Sequence, residues 1–314
     1  MFIASIERES VKGRVLPFGV RNNGAKRGQV QGLAGSWLLG WLVILTGVPV
    51  GAGRLAAGSP GATLPSATIL AFENYVAATE ARSGKSLAQA DFFWVDELPE
   101  QEKEDAYAGL KSGKVELRHV SGEKGEGKSA IPGGMVHDWQ GMVFIPGAKL
   151  DDVLSLLEDY DHHAAYYAPD VERAKIEAHN SDHFRVFMRF RRKKIITVVL
   201  NTEQEITYYR DSPKRAHSRS SAIRIAEVEN AGTPQESEKP PGEDTGFMWG
   251  LETWWRMEER NGGVYVQNEV VSLTRDIPSV LAWMIEPFLT SIPKESLEFT
   301  MEATRRGVLG RKVR

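Results

Sequence analysis

The feature that most constrains this chain is a series of segments with period-two alternation, followed by one long stretch with helical periodicity. In Phe184–Phe190, Phe184, Val186, Met188 and Phe190 fall on one side, and Arg185 and Arg189 on the other. In Ile196–Tyr208, Ile196, Val198, Leu200, Ile206 and Tyr208 share a side. In Phe247–Met257, Phe247, Trp249, Leu251, Thr253, Trp255 and Met257 alternate against Glu252, Arg256 and Glu258. Successive strand side chains point to opposite faces, so each segment predicts a strand with one apolar and one wet face, as in an antiparallel sheet. Turn signals fall at 180–182, 191–194, 211–213 and 261–263. Such a sheet needs a cover, and the sequence supplies one after it. From Pro278 to Arg306, Leu281, Met284, Ile285, Phe288, Leu289 and Ile292 form an apolar helical stripe that Leu297 and Met301 continue. Pro287 and Pro293 are expected to kink or break that helix, because proline removes a backbone donor and crowds the preceding turn.

Upstream of the alternating segments, His137–Ile145 reads as a strand stopped by Pro146-Gly147. Leu150, Val153, Leu154 and Leu157 then recur at helical spacing, with Asp151 and Asp152 placed to complement the helix dipole. The stretch EDYDHHAAYYAPDV, Glu158–Val171, follows and has the look of a reactive cluster. Adjacent histidines on a helix point roughly 100° apart, and two ligands are too few to hold a metal ion. The expectation is therefore a helix corner. Asp159 and Asp161 would cap it, Tyr160, Tyr166 and Tyr167 would pack at a cavity mouth, and neither metal nor cofactor is implied.

The order strand, two short helices, about six antiparallel strands and a long closing helix resembles the START-like (SRPBCC) superfamily, which has the helix-grip fold of lipid-transport proteins and polyketide cyclases. IPGAKLDDVLSLLEDYDHHAAYYAPDV resembles the family's opening. YVQNEVVSLTRDIPSVLAWMIEPFLTSIPKESLEFTMEATRRG resembles its last strand, Pro-containing junction and closing helix. The resemblance spans residues 135–307 and implies an α+β fold, a curved antiparallel sheet wrapped around the long C-terminal helix. It also implies an apolar cavity between the two. The candidate lining is Tyr160, Tyr166, Leu200, Tyr208, Trp249, Leu251, Trp255, Met284, Phe288 and Leu297. The plainer alternative is that these side chains fill a solid core.

Residues 66–130 have no counterpart in that domain and read as a small, mostly helical extension. A helix is predicted over Ser66–Arg82, ended by Ser83-Gly84, and Phe92, Phe93 and Trp94 are expected to dock. A charged helix over Glu100–Leu110 and a short strand over Val115–Val120 follow, then a Gly- and Lys-rich run over 121–130. Residues 53–65 read as a linker. Residues 1–52 combine a basic flank with the charge-free apolar run Leu33–Ala52, and small residues Val50-Gly51-Ala52 close it. That pattern predicts a signal peptide cleaved before Gly53, with an uncleaved inner-membrane anchor as the alternative. Either way the protein is expected to be exported, periplasmic or envelope-associated.

A formal net charge of −3 gives no electrostatic reason to expect nucleic acid as a partner. The absence of cysteine excludes thiol nucleophiles and disulfides. No nucleophile elbow, phosphate loop or dinucleotide fingerprint occurs. The basic run Arg189, Arg191, Arg192, Lys193 and Lys194 could meet anionic headgroups at a membrane surface, or be a solvated turn. Glu203, Glu205, His217, Arg219, Glu227 and Glu229 could build an acid–base network, or be outward charges on the sheet. Residues 230–244 read as a solvated loop. The expected function is binding or transport of a hydrophobic small molecule, lipid, quinone or polyketide-like. A cyclase- or hydrolase-type enzyme on the same fold and an envelope interaction protein with a solid core are the alternatives.

Overall fold

A computed structural model describes residues 64–88, 91–120, 129–193, 197–276 and 279–311, the last with side chains from residue 291 onward. Residues 1–63, which hold the expected signal peptide and most of the expected linker, and Lys194 and Ile196 lie outside the described residues. Helix α1 (Ser66–Ala88), a 3-10 turn (Trp94–Glu97) and α2 (Glu100–Lys111) come first. Strands β1 (Glu116–His119), β2 (Ser129–Ile131) and β3 (Gly134–Pro146) lead into α3 (Leu150–Leu157). A second 3-10 turn (Tyr160–His162) and the short α4 (His163–Tyr166) follow. Next come β4 (Val171–Asn180), β5 (His183–Lys193), β6 (Thr197–Ser212), β7 (Arg215–Glu229) and β8 (Ser237–Glu238). The chain then forms β9 (Gly250–Arg260), β10 (Gly263–Arg275) and the closing helix α5 (Ser279–Arg311).

The strands pair antiparallel in the order β1-β3-β10-β9-β7-β6-β5-β4, with β2 added to β3 and β8 to β7. Asn261 and Gly262, both at positive φ, close β9 onto β10 in a two-residue hairpin, the backbone geometry that matches strand twist. At the opposite edge β4 is interrupted by register shifts between Val171 and Arg173 and between Ile176 and Ala178. The sheet is curved, and its concave side faces α3, α4 and α5, so the fold is the helix-grip arrangement.

One core lies on the concave side. Val143, Ile145, Val264, Val266, Met257, Ile206, Tyr208, Phe184 and Val186 point inward and meet Leu297, Met301, Ala303 and Val308 of α5. Gly141 sets how closely the helix approaches, since a Cβ there would come within 2.9 Å of Leu297 Cγ and 3.0 Å of Met301 Cγ. Contrary to expectation, α5 runs unbroken through Pro287 and Pro293. A proline deletes one ladder bond, and the packing of the following turns on β3 outweighs that loss.

A second and third core occupy the back of the sheet, where the alternation predicts a wet face. Phe92, Phe93, Trp94, Val95 and Leu110 pack on Met142, Phe144 and Tyr265, in keeping with the predicted docking. Phe72, Tyr75 and Val76 of α1 pack on Val136, Trp254, Val271 and Leu273. Gly250 admits Phe72, whose ring would lie 2.6 Å from an added Cβ. Helix α1 continues past Ser83-Gly84 to Ala88, because Ser83 is buried and accepts from Arg256 of β9 through its hydroxyl and carbonyl oxygens. That tertiary contact offsets the roughly 1 kcal/mol a glycine costs inside a helix.

The helix-to-sheet seam on the back is polar at its centre. Asp138 of β3 and Glu269 of β10 are each 1% exposed, and both are bound by Arg82 of α1. Tyr75 donates to Asp138 at 2.9 Å. Burial first, and the neighbouring Glu269 second, push the Asp138 carboxyl up to about 7. The result is a three-layer structure with the sheet clothed on both faces.

Candidate functional site

The three central strands show where the cover is incomplete. On the back, Asp138, Gln140, Glu269, Glu252, Trp254 and Arg256 are all buried. On the concave side of the same strands, Trp139, Val270, Leu251, Thr253 and Trp255 are only half-buried. The register places them side by side, Trp139 opposite Val270, and Val270 opposite Thr253. Mid-sheet aromatic and aliphatic side chains under a helix are half-exposed only where the cover leaves a space. The concave face therefore holds an apolar hollow above a packed lower core.

The polar groups on that side of the central strands are few. Ser220 donates to Gln204 at 3.0 Å, Gln204 to Thr202 at 3.1 Å, and Thr202 to the Met188 carbonyl at 3.1 Å. His137 is buried beside Thr274 at 3.1 Å. Asn268 and Ser218 are buried with Asn268 Oδ1 and Ser218 Oγ unpartnered.

The candidate lining residues separate into three groups. Leu251 and Trp255 face the hollow. Tyr160, Leu200, Tyr208 and Leu297 are buried, and Tyr160 and Tyr208 join hydroxyls at 2.7 Å within the packed core. Burial pushes both phenols upward. Tyr166 is half-buried against α5, with its hydroxyl on Asp159 at 2.6 Å and the Arg311 guanidinium over its ring. Trp249 corrects the expectation: it precedes β9 and packs on the back with Val271 and Leu273, its indole N–H donating to Asp244 at 2.7 Å. The period-two pattern that would place it on the concave side holds only from the next residue onward, where the strand begins. Met284 and Phe288 belong to α5, and their side chains lie outside the described ones.

EDYDHHAAYYAPDV is a corner built from hydrogen bonds. Asp159 takes His162 Nδ1 at 2.6 Å through one oxygen and Tyr166 through the other, with Arg311 beside it. Those three partners hold its carboxyl below the ordinary range against a partial desolvation. Asp161 accepts the Ile176 amide at 2.8 Å, which ties the corner to β4. His163 is buried against the carbonyls of Leu156 and Leu157 at 3.3 and 3.1 Å, and burial holds it down at about 4. Tyr167 meets Thr304 of α5 at 3.0 Å. Tyr160 and Tyr167 thus sit inside the core rather than at a mouth. Among the described residues no group of three or more His, Asp or Glu could hold a metal ion.

The basic run is mostly committed to carboxylates. Arg189 is buried and clamped by Glu236 and Glu172, Arg191 pairs with Glu172, and Arg192 pairs with Asp170. Lys193 is exposed. Beside these residues lies an open groove of about 740 Å³, lined by Ala164, Pro169, Arg173, Arg189 and Glu236 among others. The stretch 230–244 is largely exposed, as expected of a solvated loop, and is fastened to the sheet by Glu236 on Arg189 and by Glu238 on Asn201 and Arg224.

Most of the suspected acid–base network faces away from the hollow, and Glu227, in register with Leu200, is taken by Lys239 and Thr245. His217 pairs with Asp211 at 2.8 Å, and Arg219 reaches Glu80 of α1 and Glu252. Glu205 pairs with Arg185, Glu203 with Arg224, and Glu227 with Lys239. Sequence reasoning did not single out Trp139, Val270, Asn268 or Ser218.

No family model matches the chain. No curated protein matches it either. Among solved structures it is similar to a protein of Thermus thermophilus, at 14% identity and a TM-score of 0.41, covering 55% of this chain and 97% of that one. It is also similar to a fragment of the STAR-related lipid transfer protein from Xanthomonas axonopodis, at 16% identity and a TM-score of 0.36, covering 60% and 98%. A third is the Zhui aromatase/cyclase from Streptomyces, at 14% identity and a TM-score of 0.38, covering 57% and 96%. At such scores the fold stands on this chain's own strand order and closing helix.

Proposed function

We propose that this protein binds a hydrophobic small molecule, lipid-, quinone- or polyketide-like, between the sheet and α5, and acts as its carrier. The observation behind the proposal is the contrast across the three central strands, whose backs are sealed while Trp139, Val270, Thr253 and Trp255 stay half-buried on the concave side. Binding would gain from burying that apolar surface, at about 25 cal/mol per Å² before association costs. Carriage is favoured over catalysis because His217, Glu203 and Glu205 are on the other face and committed to partners. A membrane contact through the 189–194 run is not part of the proposal, since Arg189, Arg191 and Arg192 are ion-paired.

The proposal includes export, on the strength of the basic flank and apolar run in residues 1–52. Among the described residues no helix is long and apolar enough to cross a membrane. Native mass spectrometry with solvent extraction of the purified protein tests the carrier reading. An apolar compound should travel with the protein and be lost on Trp255→Ala. A protein that arrives empty and takes up no apolar dye would leave the solid-core alternative standing.

A further inference from the structure

We propose that the molecule in the hollow carries a hydroxyl group received by Asn268, with Ser218 as a separate second post, and no anionic headgroup. This rests on the carrier reading and adds the chemistry of the ligand's polar end. Asn268 of β10 and Ser218 of β7 lie on either side of Trp255, each directly opposite it in the sheet register. With adjacent strands about 4.8 Å apart, the two posts stand about 10 Å from each other at the floor of the hollow. They are 3% and 1% exposed, yet Asn268 Oδ1 and Ser218 Oγ have no partner.

A buried polar atom without a partner costs the native state its desolvation. Others, such as Trp94 Nε1, Trp254 Nε1 and Tyr265 Oη, lie on the packed back, and Asn268 Oδ1 and Ser218 Oγ are the ones that flank Trp255. The neighbouring Ser220, Gln204 and Thr202 on the same side are all paired. The two orphans flank the half-buried indole that faces the hollow. A carbonyl oxygen cannot serve Asn268 Oδ1, which needs a donor. A hydroxyl donates to Asn268, and Ser218, too far away for that same hydroxyl, is open to a second polar group of the ligand.

Charge excludes the other common polar ends of apolar molecules. The inward positions of β3, β10, β9 and β7 carry no Lys or Arg. Arg192 and Arg210, at the ends of β5 and β6, are paired with Asp170 and Asp151. Between Arg275 and Lys294 the sequence holds Asp276 and Glu286 and no basic residue. A phosphate or carboxylate in the hollow would lose its hydration and find no cation.

The test is displacement of the uncharged dye Nile red from the full chain, freed of co-purifying lipid, by 1-dodecanol, n-dodecane and dodecyl phosphate below micelle formation. Dodecanol is expected to displace the dye at lower concentration than dodecyl phosphate. Asn268→Leu is expected to weaken dodecanol about tenfold, one good hydrogen bond, while leaving dodecane unchanged. Asn268→Ala is the second, smaller substitution should the first fail to fold, and it is expected to act in the same direction. Dodecyl phosphate binding best, or variants that weaken alcohol and alkane equally or neither, would overturn the inference and leave the carrier reading intact. Failure of Nile red and all three probes to bind sinks both.

Discussion

Replacing Asp138 by asparagine isolates one proton at the seam between α1 and the back of the sheet. Burial and Glu269 raise the Asp138 carboxyl from 3.8 to about 7, with Arg82 and Tyr75 opposing them. A group that holds its proton more tightly folded than unfolded makes stability fall as pH rises between those values. At about 1.4 kcal/mol per pH unit the swing reaches at most about 4 kcal/mol. His163 works in the opposite direction. Burial lowers it from 6.5 to about 4, so the native state gains stability as pH rises through that interval, by up to about 3 kcal/mol. Below pH 6.5 the two slopes offset each other, and above it only the Asp138 decline continues. Asparagine fills the same space, leaves an oxygen for Tyr75 and Arg82, and has no proton to release. Urea unfolding at pH 5, 6, 7 and 8 should show a nearly flat and then declining profile for the native protein. Asp138→Asn should instead gain stability from pH 5 to 6.5, level off, and exceed the native protein at pH 8. Parallel profiles would refute a buried proton on Asp138. A variant weaker than the native protein at pH 8 would show that Arg82 outweighs burial.

Gly141→Val should lower stability by about 1–3 kcal/mol, read as a fall in Tm, because the new side chain meets Leu297 and Met301 where α5 crosses β3. Tyr208→Phe should cost about 1–3 kcal/mol in urea by leaving the Tyr160 hydroxyl alone in the core, and adding Tyr160→Phe should restore part of it. Arg189→Ala should release the 230–244 segment, seen as faster limited proteolysis there. Lowering pH toward 2 should do the same, because Arg189 holds the Glu236 carboxyl at about 2 and the clasp is lost as that group takes its proton. N-terminal sequencing of the protein recovered from cells should begin at Gly53. An intact N-terminus in the cytoplasmic fraction would refute export.

The fold is legible in the sequence wherever one face of a strand meets water. Period two alone assigns Leu251 and Trp255 to the concave side, and β9 confirms the alternation. Strands β3 and β10 are less readable because both of their faces are covered, leaving no wet side to set the phase. Asp138 and Glu269 look like surface residues in sequence and are among the most buried in the protein. For the same reason Asn268, a polar residue beneath α5, gives no signal of its position. Trp249 is misplaced by period two because alternation marks a face only inside a strand, and the chain enters β9 one residue later. The reactive-looking histidines resolve by geometry: His162 and His163 diverge, one to Asp159 and the other to backbone carbonyls.

The two register shifts in β4 bear on how the molecule behaves at high concentration. Among the described residues no strand lies beyond β4, so its outer backbone groups form an edge, of which the Ile176 amide is already taken by Asp161. A straight apolar edge of that kind recruits a second chain by strand addition. Here the edge is bent at two places, and between and beside the bends it carries Glu172, Arg173, Lys175 and Glu177. An incoming strand would have to follow two kinks and desolvate four charges to form its ladder. The other border, β1, is four residues long and offers little to pair with. The open sheet is thereby guarded against aggregation by the shape of its edges, with no need to close into a barrel.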